Sequence, residues 1–310
     1  MKDLRALAVE YAGLIVALAA LVGIFSFSAP HFLSGETFAT ISNQVPSAVI
    51  AAAGMTFVLG VAEIDLSVGS VLGFASAVLG TLMARQLLGL AGSLAACLAT
   101  GAVCGALSAT IITRWRIPSF IVTLGMLEVA RGCAHLVTGS QTQYVGSAVG
   151  ALADTRLLGL SLPFLLAILV VVSGQTMLSR MAFGRHLLAV GANPEAARLS
   201  GVDPGRVKRI VFVLSGLLAA VGGAIDTSRF QAADPNAGMG FELEVIAAVV
   251  IGGTSLMGGR ASVIGSFLGV LIIAVLGAGL AALGVRDETK RLVTGCVIVG
   301  AVILDQYRRR

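Results

Sequence analysis

Residues 262–283 read SVIGSFLGVLIIAVLGAGLAAL, 22 residues without a single charge. A helix rises 1.5 Å per residue, so about 20 apolar residues cross the roughly 30 Å hydrocarbon core of a bilayer. A helix on a soluble core is apolar along one stripe, whereas this one is apolar all round. The stretch reads as a membrane span, and the same window carried outward along the chain finds nine more. They lie near 7–28, 41–61, 67–84, 91–112, 118–138, 158–178, 210–227, 243–257 and 290–305. The expected fold is therefore an all-α polytopic membrane protein of about ten transmembrane helices, one transmembrane domain over residues 1–310, with broken helices near 60–69 and 252–259.

Composition agrees. Of the 310 residues, 57% are hydrophobic and 12% charged, against roughly 45–50% and about 25% in soluble domains. Mean hydropathy is +0.96. Glycine occurs 39 times, well above the background of about 7%. Glycine weakens soluble helices but suits membrane helices that approach backbone to backbone. Aromatics at 5% are too few for the girdles of an outer-membrane barrel, and unbroken apolar runs exclude alternating strands. The N-terminal run behind Lys2 and Arg5 resembles a signal peptide, but its length favours an uncleaved first span.

The net charge of +5 has a simple source. With the N-terminus inside and ten spans, the inner side collects Lys2, Arg5, Arg114, Arg116, Arg180, Arg185, Arg198, Arg206, Lys208, Arg209, Arg260 and Arg308 to Arg310. Basic residues concentrate in loops that stay cytoplasmic, so the chain reads N-in and C-in, and nucleic acid is not the partner this charge implies. Residues 179–209 form the longest inner loop. None of the three lysines (Lys2, Lys208, Lys290) sits in a G-x-x-x-x-G-K-[ST] loop. If ATP drives this chain, another subunit binds it. Four cysteines in apolar runs and three scattered histidines have no ligand spacing, so no metal or other cofactor is expected, and no catalytic residue.

Four constellations stand out. In the inner loop, Asn193 can cap a short helix over Pro194, Glu195, Ala196, Ala197, Arg198 and Leu199, which Gly201 stops and Pro204 keeps from resuming. Such a helix is too short to stand alone and is suited to dock on a partner; a plain amphipathic connector is the alternative. Glu63, Asp65 and Ser67 lie at a junction between spans, with the backbone expected to unwind between Gly60 and Gly69. They either line a solute path or hold the break. Gly252, Gly253, Thr254 and Ser255 open a second glycine-rich segment that makes a gate, a hinge or a tight loop. Inside the fifth span, Glu128 and Arg131 are three residues apart and are expected to form an intramembrane ion pair, with His135 a turn later. A weak internal echo links 64–73 to 255–265, as a parallel repeat or as chance similarity among Gly, Ser and Val.

The stretches GRHLLAVGANPEAARLSGV (184–202), EIDLSVGSVLG (63–73), PSFIVTLGMLEVARGCAHLVTG (118–139) and PNAGMGFELEVIAAVVIGGTSLMGGRASVIG (235–265) resemble the ribose-type ABC permease family. The likeness covers most of the chain and departs at Glu63, Met257 and Ala261. It implies a permease subunit in the bacterial inner membrane that carries a monosaccharide or similar small polar solute. It also implies a cytoplasmic ATPase holding ATP and Mg, a periplasmic solute-binding protein, and a second permease subunit, identical or paralogous. Under this likeness, 193–201 matches the coupling helix that sits on the ATPase. A proton-coupled secondary transporter using Glu63, Asp65 or Glu128 is the alternative, and it would have no need of that helix.

Overall fold

A computed structural model describes residues 2–29, 32–157 and 160–308. Helices fall on all ten apolar stretches: α1 Lys2–Ser28, α2 Gly35–Gly60, α3 Val68–Ala84, α4 Leu90–Trp115, α5 Ser119–Thr138, α7 Leu162–Arg180, α10 Pro204–Phe230, α11 Phe241–Ile251, α12 Val263–Ala282 and α13 Asp287–Arg308. Seven of them (α1, α2, α4, α5, α7, α10 and α12) are long and apolar enough to cross a membrane. α3 has 17 residues and α11 only 11. α13 has an apolar middle with charges at both ends.

Three helices lie between the apolar stretches. α6 (Ser147–Asp154) follows α5, while α8 (Ala182–Ala192) and α9 (Pro194–Leu199) fill the long connection between α7 and α10. Short strands β1 (Gln143–Tyr144) and β4 (Ala232–Ala233) pair antiparallel, with Gln143 opposite Ala233. Strands β2 (Arg156–Leu157) and β3 (Leu160–Ser161) make a second small ladder just before α7. One expectation fails: Pro204 does not keep the helix from resuming. Proline lacks only an N–H that the first turn would leave unpaired, so Pro204 starts α10, with Asp203 capping Gly205 N at 2.8 Å. The seventh stretch begins six residues earlier than its apolar run, at 204 rather than 210.

α2 is the central rod. From Val45 to Gly60 every residue except Ala48 is buried, and α7, α10, α11 and α12 surround it. Its neighbours are pinned by paired hydroxyls. Thr56 and Ser266 share a 2.7 Å hydrogen bond between α2 and α12, and Ser76 and Thr227 do the same between α3 and α10. Because lipid is as apolar as leucine, helix association here rests on close packing and such bonds.

α4 and α10 pack backbone to backbone. A Cβ built on Gly101 would stand 2.1 Å from the Gly216 carbonyl oxygen, and one on Gly105 would stand 2.2 Å from that of Phe212. Both obstacles are backbone and cannot rotate away. Gly105→Val is expected to lower stability by about 1–3 kcal/mol, the usual cost of overpacking, read as a fall in melting temperature in detergent. Gly23→Ala, where a Cβ meets nothing within 4 Å, is the control. Equal melting temperatures for the two variants would contradict this account of the α4–α10 contact.

Candidate functional site

The first break runs from Val61 to Ser67. Gly60 ends α2, Ala62 turns the chain with φ 61°, and the next residues thread along the first turns of α5. Ser119 Oγ accepts from Ile64 N at 3.0 Å, and Thr123 Oγ1 accepts from Leu66 N at 3.1 Å. Asp65, 3% exposed, does the rest. Its Oδ1 accepts from Ser67 N (3.0 Å) and Ser67 Oγ (2.6 Å), and its Oδ2 accepts from Ser215 Oγ (2.9 Å) on α10. The carboxylate is thereby turned wholly toward protein and holds the break. Glu63 points elsewhere, into an ion pair with Lys208 at the start of α10. Gly69 lies within α3 and does not unwind it; its hydrogen admits the carbonyl of Gly238.

The second break runs from Gly252 to Ser262. Gly253, Gly258 and Gly259 take φ of 88°, 76° and 75°, which side chains rarely adopt. Gly252 packs against the backbone of Gly265. Thr254 Oγ1 accepts from Ser262 N at 3.2 Å and Ser255 Oγ from Met257 N at 3.1 Å, so both buried hydroxyls serve the turn. Ser262 caps α12 through Gly265 N and shares a 2.6 Å bond with Tyr11. Gln175 on α7 lends its Oε1 to Val263 N at 2.9 Å and Ile264 N at 3.3 Å. Sequence reasoning missed Gln175; its signal was an uncharged amide alone in an apolar span.

The loop between α7 and α10 meets both breaks. Asn193 accepts from Glu195 N and Ala196 N at 3.0 and 2.9 Å, so α9 has the expected cap. Arg198 reaches back to Glu195 at 2.6 Å on the exposed face. That hydrogen bond, with the attraction behind it, holds the Glu195 carboxyl below its usual range. Ala197 is buried against the protein, whereas Leu199 is 79% exposed. Directly before α9, Gly191 meets the other two segments. Gly259 N donates to Gly60 O at 3.1 Å, and a Cβ on Gly191 would fall 1.9 Å from that oxygen and 2.7 Å from that nitrogen. The ends of α2 and α8 and the 252–262 turn thus touch backbone to backbone. Beside them a cavity of about 470 Å³ is lined by Glu63, Arg116, Arg198, Asp203 and Lys208 among others.

The expected Glu128–Arg131 ion pair is not formed. Glu128 is exposed, and Arg131 Nη1 donates to Pro235 O and Ala237 O, both at 2.7 Å. Two short bonds to fixed carbonyls outcompete one exposed carboxylate a turn away. Among the described residues no group of His, Cys, Asp or Glu is placed to hold a metal ion.

Comparison with known proteins adds the following. The profile of a family described as branched-chain amino acid transport system / permease component matches residues 37–302. The chain is 36% identical over 300 residues to a ribose import permease of Escherichia coli (strain K12), covering 95% of this chain and 93% of the relative. It is 36% identical over 305 residues to an L-arabinose ABC transporter permease of Azospirillum brasilense, covering 97% and 89%. With a fructose import permease of Rhizobium meliloti it shares 33% identity over 306 residues, covering 96% and 85%. No solved structure matches the chain.

Removing the Asp65 carboxylate orphans one N–H and two hydroxyls in the interior, at about 1–3 kcal/mol for a buried group left unsatisfied. Asp65→Ala is therefore expected to melt well below the wild type in detergent. Asp65→Asn, which keeps an acceptor for Ser67, should fall between them. A wild-type melting temperature for Asp65→Ala would mean that the carboxylate does not hold the break.

Proposed function

The chain belongs to the family of branched-chain amino acid transport system / permease components, a permease subunit of an ABC importer, and from that premise we propose how it works and what it carries. Ten spans run from a cytoplasmic N-terminus to a cytoplasmic C-terminus in the bacterial inner membrane. The pairing of β1 with β4 gathers the α5–α6 and α10–α11 connections on the outer side. The two breaks and the α8–α9 loop gather at the inner end, where Arg114, Arg116, Arg185, Arg198, Lys208 and Arg260 also fall. That charge distribution fits the tendency of basic loops to stay inside.

The observation that carries the mechanism is the junction of Gly60, Gly191 and Gly259, which lies at the end of α8 directly before α9. A cytoplasmic ATPase, which holds the ATP and Mg, docks on the exposed face of α9 around Leu199. Its movement on binding and hydrolysing ATP shifts α8 and α9, and backbone contact carries the shift to both breaks. The core then alternates between outward-open and inward-open states. A periplasmic binding protein supplies solute to the outer face, and a second permease subunit completes the path. This chain binds no nucleotide and performs no chemistry.

The solute is a monosaccharide or a similarly small polar molecule. The relatives matched along nearly their whole length are named for ribose, arabinose and fructose, although the family description names branched-chain amino acids. A proton-driven carrier fits less well. Asp65 is fully engaged in hydrogen bonds and Glu63 in an ion pair, and such a carrier would leave α9 unused.

The test is assembly and uptake with a co-expressed ATPase and binding protein. Leu199→Asp and Arg198→Glu are expected to reduce co-purification of the ATPase by about tenfold, the effect of losing about 1.4 kcal/mol at an interface. Gly191→Ala should assemble yet transport poorly, because the junction cannot close around a methyl group. Proteoliposomes holding the whole importer should accumulate a pentose or hexose in preference to leucine, with ATP required and uncouplers without effect. Normal assembly of both α9 variants would overturn the docking role. Accumulation of leucine alone would overturn the sugar assignment.

A further inference from the structure

The connection between α10 and α11 does not stay at the membrane surface. It lies along α3. Ala233 sits against Gly80, the Ala237 carbonyl against Gly73 and the Gly238 carbonyl against Gly69, each where a Cβ would come within 2.6 Å of it. From Gly80 to Gly69 is 11 residues of helix, or about 16 Å of descent at 1.5 Å per residue. The segment is held there by Arg131, whose Nη1 bonds the carbonyls on both sides of Asn236, and by Asp234 Oδ1, which accepts from Asn236 N at 2.8 Å. Two left-handed glycines, Gly238 and Gly240, then turn the chain into α11. With 11 residues α11 is about half a span, so it begins at depth.

Non-helical backbone at that depth is tolerated only inside protein or beside water. One side of this segment is covered by α3, yet Asn236, Met239 and Gly240 are exposed on the other. One turn before Arg131 on α5 stands Glu128, the tenth residue of a 20-residue helix and so at mid-span. It is exposed too, with Gly125 and Gly132 a turn to either side and open space in front of both. An exposed carboxylate halfway through a span does not face lipid tails; such groups face a bundle interior or a water-filled passage.

We propose that Glu128 and Asn236, set at mid-depth by the Arg131-pinned segment 232–240, form a contact site in the solute path for a neutral polyhydroxylated molecule. The carboxylate accepts hydrogen bonds from hydroxyl groups, and the amide both donates and accepts. The neighbouring guanidinium offsets the negative charge. Gly125 and Gly132 leave the wall smooth for a ring to pass. The site rests on the reading of the chain as an importer of such a solute, but its exposure to water can be tested without knowing which one.

The assembled importer, carrying Cys133→Ser and Cys296→Ser, is reconstituted with Glu128→Cys, Asn236→Cys or Gly132→Cys. It is treated from outside with the membrane-impermeant reagent 2-sulfonatoethyl methanethiosulfonate, with and without ATP and vanadate. Glu128→Cys and Asn236→Cys are expected to react, at rates that change with the nucleotide state. Where one of them does not assemble, Gly132→Cys on the same face takes its place. Separately, Glu128→Gln should reduce uptake about tenfold, the loss of one hydrogen bond to a charged group. Cysteines that react in no nucleotide state would overturn the site, because the face would then be covered by lipid or protein. Normal uptake by Glu128→Gln would overturn the contact with solute. If the cysteines react but the wild-type importer accumulates no pentose or hexose, it is the sugar assignment that falls, and with it the polyhydroxylated ligand proposed for this site.

Discussion

A backbone that leaves the helix inside a bilayer must find its hydrogen bonds within the protein or beside water, and two of the places where this chain leaves it are the breaks at 61–67 and 252–262. At the first, the freed amides of Ile64, Leu66 and Ser67 are met by Ser119, Thr123 and Asp65. At the second, those of Ser262, Val263 and Gly265 are met by Thr254, Gln175 and Ser262. The partners come from α5, α7 and the turns themselves, so satisfying the breaks also decides which helices lie together. Ser215 on α10 completes Asp65, and Tyr11 on α1 completes Ser262. The helices around α2 are in this sense arranged by the needs of a few unpaired amides.

The two breaks meet that need with different chemistry. The first uses the Asp65 carboxyl and closes with a charged pair, Glu63 with Lys208. The second uses hydroxyls and one amide, all neutral. A buried charge is costly to free of its partners, whereas neutral hydroxyls exchange partners at about 1 kcal/mol each. The first break is accordingly the stiffer, anchored to α5 and α10. The glycine-rich second break, with three left-handed residues, is the more deformable.

Much of this was legible in the chain. Each apolar window fell on a helix because hydrophobic length is a local property. Asn193, Pro194 and Gly201 announced α9 because capping is local as well. What escaped detection was tertiary. Lys208 is 145 residues from Glu63, and no spacing rule joins them. The spacing rule that paired Glu128 with Arg131 was sound for an isolated helix, but carbonyls from another segment took the arginine. The stretch Asp234-Pro-Asn-Ala-Gly reads as an ordinary polar loop, and only the glycine face of α3 draws it inward. α8 was hidden because its apolar stripe is too short for a span and lies among basic residues.

The glycine junction limits how this end of the bundle can move. A contact made through side chains has slack, because a rotamer change can absorb a small displacement. Gly60, Gly191 and Gly259 have no side chains, so a displacement of α8 meets main chain at once. The Gly259 N to Gly60 O bond also ties the second break to the first. A shift at α9 therefore moves both breaks together, or it must first break that bond in a place with few other partners. Of the two breaks the second yields more readily, since Thr254, Ser255 and Gln175 hold it through neutral bonds alone. The stiffer first break then serves as the fulcrum, and the main excursion falls on the turn from Gly252 to Ser262 and on α11, which leads back to Asn236.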